Sequence, residues 1–173
     1  MTNIPIVIET ALGAIEASVD AQRAPATVAN FLQYVDAGYY SGGRFHRTVT
    51  PENQPNDQVR IEVIQAGIDP EHDPQKFSPI PMERTSVTGL RHTDGALSMA
   101  RREVDSAQSD FFICIGDQPE LDFGGRRNPD GQGFAAFGEV TKGMDVVRKI
   151  QRAPRDAQRL TPPVRILGIR RAA

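Results

Sequence analysis

The chain has 173 residues, which is enough for one domain with a sizeable core but not for two comfortable ones. Its 39% hydrophobic and 24% charged residues are an ordinary globular balance, and its net charge of -2 excludes a strong attraction to nucleic acid or to a membrane surface. The single cysteine, Cys114, excludes an internal disulfide and fits a reducing compartment.

The first predicted elements are a β-hairpin and a helix. β-prone runs at residues 4–10 and 14–19 flank a tight turn that contains Gly13, which predicts the hairpin. An amphipathic helix is predicted over residues 25 to 37, because Pro25 suits a first helical turn and the apolar residues that follow recur at helical spacing. Those apolar residues are Val28, Phe31, Leu32 and Val35.

Apart from a second helical pattern at residues 143–151, the other apolar residues come in short runs bounded by glycine, proline or polar turn residues. The runs are residues 44–49, 59–67, 95–100, 110–115, 134–140 and 163–169. With the hairpin they make about eight strands, and so many strands with only two helices predict a closed antiparallel sheet. Periodicity alone does not separate a barrel from a sandwich.

The proline-rich, polar stretches 50–58 and 68–94 predict long loops on a single domain that covers residues 1–173.

Three short segments carry the chemistry that the sequence offers. They are Phe45-His46-Arg47, then residues 63–67, then residues 95–100 leading into 109–113. They place one arginine, one glutamine and one phenylalanine on apolar β-type segments, without the carboxylate, thiol or metal-ligand set that bond-breaking chemistry needs. This combination favours a groove for a peptide over a hydrolytic site.

In order and spacing these segments resemble the cyclophilins, the peptidyl-prolyl cis-trans isomerases, over roughly residues 5 to 169. The resemblance implies a closed eight-stranded antiparallel β-barrel capped by two α-helices, and so favours a barrel over a sandwich. It implies catalysis of rotation about X-Pro peptide bonds, assisting protein folding. The implied partners are proline-containing peptides and unfolded or partly folded proteins, with no cofactor. Single-domain size and a polar surface favour a monomer.

The resemblance implies that Arg47 and Gln65 are the catalytic residues. Rotation about an X-Pro bond is slow because amide resonance must be lost, with a barrier near ~20 kcal/mol. A fixed guanidinium can donate a hydrogen bond to the prolyl nitrogen or carbonyl of the twisted amide. Gln65 is expected to hydrogen-bond the substrate backbone nearby. The structural alternatives are that Arg47 forms an ion pair on the barrel surface and that the Gln65 amide hydrogen-bonds a backbone group in the core.

The remaining site residues are implied to bind the substrate. Phe112 is expected on the floor of a proline pocket and Phe111 inside the barrel, because neighbours on a strand face opposite sides; the sequence alone does not choose between them. Val63 is expected in the pocket. His46 is included among the predicted substrate-binding residues. It is expected to be buried and to hydrogen-bond backbone groups, not to act as a base. The other predicted substrate-binding residues are Leu121, Phe134, Ala100 and Arg101.

Two insertions depart from the family pattern. The polar stretch 51–57 lengthens the link between the first two motifs, so that Glu62 and Val63 stand where the family has a phenylalanine and a methionine of the pocket. The side chain of Glu62 is expected to lie outside the pocket. The loop at residues 123–133 is also longer, and a flexible connection is favoured over a role in partner selection.

Two substitutions add negative charge near the implied groove. Glu120 stands where the family often has an aromatic residue that grips cyclosporin, and Asp110 stands where a glutamine is usual. Weak cyclosporin binding is therefore expected.

Other classes of function are disfavoured. A cysteine hydrolase is disfavoured because Cys114 lies inside an apolar run, where a thiol is normally unreactive. No metal site is expected, since the three histidines show no short ligand spacing. No signal-peptide pattern or membrane-length apolar run is present, which predicts a cytoplasmic location. The remaining alternative is a cyclophilin-fold peptide-binding module with little isomerase activity, because the altered pocket could preserve docking while loosening the catalytic geometry.

Overall fold

The computed structural model of the protein describes residues 3–172, in which nine strands form one antiparallel sheet. The strands are β1 (Asn3–Thr10), β2 (Gly13–Asp20), β3 (Arg44–Val49), β4 (Val63–Gly67), β5 (Ala96–Met99), β6 (Phe111–Cys114), β7 (Ala136–Lys142), β8 (Arg155–Asp156) and β9 (Arg159–Arg171). Their order is β1-β2-β7-β5-β6-β4-β3-β9-β8, and β1 also pairs with β9. That last pairing closes eight strands into a barrel and leaves the two-residue β8 outside it. The predicted eight-stranded antiparallel β-barrel is confirmed.

Three α-helices accompany the barrel within residues 3–172: α1 (Pro25–Asp36), α2 (Thr85–Thr88) and α3 (Met144–Gln151). α1 and α3 confirm the two predicted helices. α2 is a single turn within the stretch predicted to be loop, and it ends at Gly89, whose φ of 76° is readily adopted by glycine. No helix among these residues is long and apolar enough to cross a bilayer.

The barrel interior is filled from the strands and from both longer helices. Phe31 of α1 reaches Phe111 of β6 in an edge-to-face contact with ring centroids 5.4 Å apart, and Val147 and Ile150 of α3 belong to the same buried cluster. Burial of each large apolar side chain contributes about 1.5–3 kcal/mol. The amphipathic pattern of each helix is therefore satisfied by the barrel core.

The prediction of a strand beginning at residue 59 is wrong at its start, because β4 begins at Val63. The residues just before Val63 follow the polar insertion at 51–57, and the buried side-chain amide of Gln54 bonds the backbone of Ile61 in place of a neighbouring strand. Its Oε1 accepts from the Ile61 N–H at 3.1 Å, and its Nε2 donates to the Ile61 carbonyl at 2.7 Å. Backbone groups satisfied in this way do not need a sheet neighbour.

Candidate active site

One row of neighbouring residues across the sheet carries the predicted catalytic side chains. Arg47 on β3 lies opposite Gln65 on β4, and Gln65 lies opposite Phe112 on β6. Directly opposed residues in an antiparallel sheet share a face. The row therefore places a guanidinium, an amide and an aromatic ring side by side on the outer face of the barrel.

The adjacent row faces the barrel interior. Phe45 lies opposite Ala66, Ala66 opposite Phe111 and Phe111 opposite Met99. All four are at most 1% exposed. Phe111 is therefore inside the barrel, as predicted, and alternation along β6 turns Phe112 to the other face.

A β-bulge at His46 turns Arg47 outward. Simple alternation would put Arg47 on the same face as Phe45, two residues before it, and that face is the core. The register instead shifts between Phe45 and Arg47, so that His46 is an extra residue with no partner of its own on β4. The bulge allows one short strand to contribute Phe45 to the core and Arg47 to the outer row.

His46 does not have the predicted environment. Its side chain is 38% exposed, and its Nε2 lies 3.1 Å from the Asp110 carboxylate instead of contacting backbone. It does not line the cavity beside Gln65 and Phe112, because the bulge removes it from the regular strand geometry. The prediction of a buried backbone partner is wrong.

The outer row borders an open cavity of about 290 Å³. Eight of the nine predicted site residues line it: Arg47, Gln65, Val63, Ala100, Arg101, Phe112, Leu121 and Phe134. Four residues without a predicted role line it too: Ile61, Arg127, Asn128 and Pro129. No sequence pattern singles them out: Arg127, Asn128 and Pro129 belong to the loop 123–133, and Ile61 follows the polar stretch 51–57.

The cavity floor is an apolar cluster separate from the barrel core. Val63, Phe112 and Leu121 are at most 5% exposed, and Phe134 meets Phe112 edge to face with ring centroids 5.6 Å apart. Such a surface is suited to a small apolar ring.

Buried His92 supports this floor from below. Its ring is nearly parallel to that of Phe112, with centroids 6.0 Å apart. Its Nδ1 lies 2.7 Å from the Asp122 carboxylate and its Nε2 lies 2.8 Å from the Ser98 hydroxyl, which fixes the ring. No local pattern in the sequence marks His92 for this role, since its partners come from β5 and from the segment after Leu121.

Arg101 braces the rim of the cavity. Its side chain is only 2% exposed, its Nε donates to the Gly133 carbonyl at 2.9 Å, and its Nη1 lies 2.9 Å from the Asp130 carboxylate. Its guanidinium carbon is 4.9 Å from the ring centroid of Phe134. Arg101 thus holds Phe134 and the loop 123–133 together.

Arg47 is oriented by two amides and forms no ion pair within residues 3–172. Its Nη1 donates to Gln65 Oε1 at 2.9 Å and its Nε donates to Gln158 Oε1 at 3.0 Å. Gln65 in turn donates from Nε2 to Asp110 at 3.1 Å. In this structure the Gln65 oxygen therefore orients Arg47, while its Nε2 is held by Asp110.

Burial, followed by the positive charge of Arg127, lowers the pKa of Arg47. The starting value of a guanidinium is so high that Arg47 stays charged at neutral pH. A charge that is half-buried and not neutralised by a carboxylate interacts strongly with a dipole placed beside it.

The two insertions meet at Arg127, which closes one wall of the cavity. Arg127 Nη1 donates to Gln54 Oε1 at 2.9 Å and to the Val59 carbonyl at 2.8 Å, and it lies 3.4 Å from the Asp57 carboxylate. Gln54 bonds both backbone groups of Ile61, which is 6% exposed and lines the cavity. The loop 123–133 is therefore joined to the stretch 51–61.

Glu62 lies outside this wall, as expected. Its carboxylate accepts a hydrogen bond from Gln151 of α3 at 3.1 Å and it does not line the cavity. Ile61 supplies the apolar surface beside Val63 instead.

The site lacks the groups needed for covalent or metal chemistry among residues 3–172. Burial raises the pKa of the Cys114 thiol, which is fully enclosed in the sheet and stays protonated. No three His, Cys, Asp or Glu side chains of these residues group as metal ligands. The cavity can bind an apolar ring and direct a fixed positive charge at it.

Comparison with known proteins agrees with this geometry. The family model described as cyclophilin type peptidyl-prolyl cis-trans isomerase/CLD matches residues 5–171. The chain belongs to this family. Peptidyl-prolyl cis-trans isomerase A of Dickeya dadantii is 38% identical over 150 residues, which cover 86% of this chain and 72% of that protein. Peptidyl-prolyl cis-trans isomerase B of Escherichia coli is 37% identical over 130 residues, which cover 75% and 73%.

Solved structures show the same cyclophilin fold. The crystal structure of a cyclophilin type peptidyl-prolyl cis-trans isomerase from Cryptosporidium parvum matches with a TM-score of 0.79 over 99% of this chain and 98% of that one. The identity is 20%, so the likeness concerns the fold alone. Within the cyclophilin family, the outer row and its cavity are the candidate active site of this member.

Proposed function

We propose that the protein accelerates cis-trans rotation about X-Pro peptide bonds, with Arg47 as the electrostatic catalyst and the cavity over Phe112 as the seat of the proline ring. The observation that carries this proposal is a guanidinium held by two amides, without an ion-pair partner in residues 3–172, at the edge of an apolar cavity. Relatives named as peptidyl-prolyl cis-trans isomerases at 37–38% identity support it.

The proposed mechanism stabilises the twisted amide. When the X-Pro bond rotates, the prolyl nitrogen loses conjugation and regains a lone pair that accepts a hydrogen bond. Two of the five N–H donors of Arg47 are used by Gln65 and Gln158, which leaves three for the substrate. A hydrogen bond that is stronger to the twisted amide than to the planar amide lowers the barrier, and each ~1.4 kcal/mol gives about tenfold in rate.

The ligands proposed for the cavity are proline-containing peptides. A related Cryptosporidium parvum structure, with a TM-score of 0.77 and 21% identity, was determined in the presence of the dipeptide Ala-Pro. Ala100 leaves room for a backbone beside the apolar floor. We further propose that the clients are unfolded or partly folded proteins, whose folding it assists, and that it acts as a monomer in the cytoplasm, which fits its free thiol.

The direct test is NMR exchange of a short Ala-Pro peptide at equilibrium. Addition of the protein is expected to bring the cis and trans signals into exchange far faster than uncatalysed isomerisation, which takes tens to hundreds of seconds. Peptide shift changes without accelerated exchange would overturn the proposal in favour of a binding module.

Cyclosporin is expected to bind weakly. Glu120, which stands where related proteins often have an aromatic residue, is ion-paired with Arg126 at 2.8 Å. A carboxylate there offers no apolar ring to the drug, so a Glu120→Trp variant should bind it more tightly than the wild type. Calorimetric titration measures both affinities. Tight, stoichiometric inhibition of the wild type would contradict this expectation.

Loss of the Arg127 contacts is expected to loosen the cavity wall. In Arg127→Ala, Gln54 and Val59 each lose a hydrogen bond and Ile61 is no longer held in place, so KM for an X-Pro peptide should rise about three- to tenfold. Steady-state kinetics measure KM and kcat separately. Arg126→Ala is the matched control, since it removes the same charge from a neighbouring residue whose side chain is 74% exposed. Equal KM changes in both variants would show that charge, and not the wall, is responsible.

A further inference from the structure

Two pairs of arginines lie directly opposite each other on β3 and β9. Arg44 is opposite Arg165, and Arg47 is opposite Arg159. Like charges in this arrangement destabilise a sheet. None of the four takes part in an ion pair within residues 3–172. A pair of like charges at the edge of an active site can bind an anion where no carboxylate compensates it.

The two pairs differ in their surroundings. The depression beside Arg44 and Arg165 also includes Asp69 and Glu71, so its charges are balanced. The depression beside Arg47 and Arg159 has a volume of about 470 Å³ and is otherwise lined by His46, Gln158 and Pro163, with no carboxylate. The second depression is the one that attracts a negative charge.

Nearby carboxylates do not neutralise this second depression. Asp110 is engaged by His46 and Gln65. Asp156 lies opposite Arg159 on the other side, on β8, but the two form no ion pair and Asp156 is exposed. Arg159 is exposed and takes part in no ion pair within residues 3–172, so its planar guanidinium is available for a carboxylate.

The depression adjoins the proposed proline seat, because Arg47 lines both. Neighbouring strands are ~4.8 Å apart and an extended peptide rises ~3.3 Å per residue. Arg159 lies one strand spacing from Arg47, so a side chain within about three residues of a proline held beside Arg47 can reach it.

We propose that this depression is a subsite for an acidic side chain of the substrate, an aspartate or glutamate two or three residues from the proline, and that Arg159 is its specificity-determining residue. The inference rests on the proposed isomerase function. It assigns to the protein a preference among X-Pro peptides that the apolar cavity alone does not provide.

The test compares peptides that differ only in carrying glutamate or glutamine at each position within three residues of the proline. At low ionic strength, kcat/KM from NMR exchange is expected to be about threefold higher for glutamate at the best position, the size of effect typical of an exposed charge pair. The ratio should approach one at high salt, where such a pair is screened.

Three variants locate the effect. Arg159→Gln should abolish the preference, and Asp156→Asn should increase it by removing a competing carboxylate. Arg170→Gln is the matched control, because it removes the same charge from an exposed position near the other end of β9 and should leave the ratio as in the wild type. A merely structural role for Arg159 would not move the ratio in opposite directions in the first two variants.

A ratio near one at every position in the wild type, or a preference that survives in Arg159→Gln, would overturn the subsite. Failure of the proposed function has a different signature, since the glutamine peptides would then show no acceleration at all. In that case the dissociation constants of the same peptide pairs, measured by shift titration with wild type and Arg159→Gln, decide the subsite independently.

Discussion

Replacement of Arg47 by alanine is expected to lower kcat/KM for X-Pro isomerisation by about a hundred- to a thousandfold, the loss typical of removing one donor aimed at a charge that develops in the transition state. Gln65 and Gln158 lose the group that they orient, and the apolar floor around Phe112 stays in place. Peptide binding should therefore weaken much less than the rate. NMR exchange measures the rate, and shift titration measures the affinity.

Two controls define the role of Arg47. Arg47→Lys keeps a positive charge but loses the rigid fork, so its rate should lie between those of the alanine variant and the wild type. Thermal unfolding of each variant shows whether the fold is intact. Undiminished exchange in Arg47→Ala would rule out the guanidinium as the catalyst, and an equal loss of rate and affinity would make Arg47 a binding residue only.

Alanine substitutions of the two adjacent phenylalanines of β6 are expected to have different effects, one mainly on stability and the other mainly on function. Phe111 is fully buried among aromatic rings, with Tyr40 at 5.6 Å and Phe45 at 6.2 Å between centroids. Phe111→Ala leaves a cavity in the barrel core, so the free energy of unfolding should fall by about 3–5 kcal/mol. Urea unfolding measures this change.

Phe112→Ala is the matched partner of that variant. It enlarges a cavity that already opens to solvent, so water can fill the space and the loss of stability should be smaller. The seat for the proline ring is lost, however, and kcat/KM should fall by about tenfold or more. Equal losses of stability in the two variants, with isomerisation unchanged in Phe112→Ala, would contradict the assignment of the two faces.

Much of the architecture is predictable from local patterns. The hairpin turn at Gly13 and the helical spacing in α1 and α3 depend on residues close together in the chain, and so does the alternation that opposes Phe111 to Phe112. The order of the motifs, compared with the cyclophilin pattern, placed eight site residues that line one cavity. The hairpin, the helices and the alternation depend on interactions within a short window of sequence, whereas the site residues follow from the order of motifs along the whole chain.

Other features arise only when distant strands and loops meet. Alternation alone would have buried Arg47 with Phe45, and the bulge that turns it outward is a matter of register between β3 and β4. The wall at Ile61 depends on Arg127, which joins the cavity from a loop far along the chain. Arg159 lies opposite Arg47 only because β9 pairs with β3, a strand far away in the sequence. The local sequence determines which residues can form strands and helices, whereas long-range pairing decides which side chains share a surface, because register and contacts between distant segments are set by the energy of the whole packed barrel.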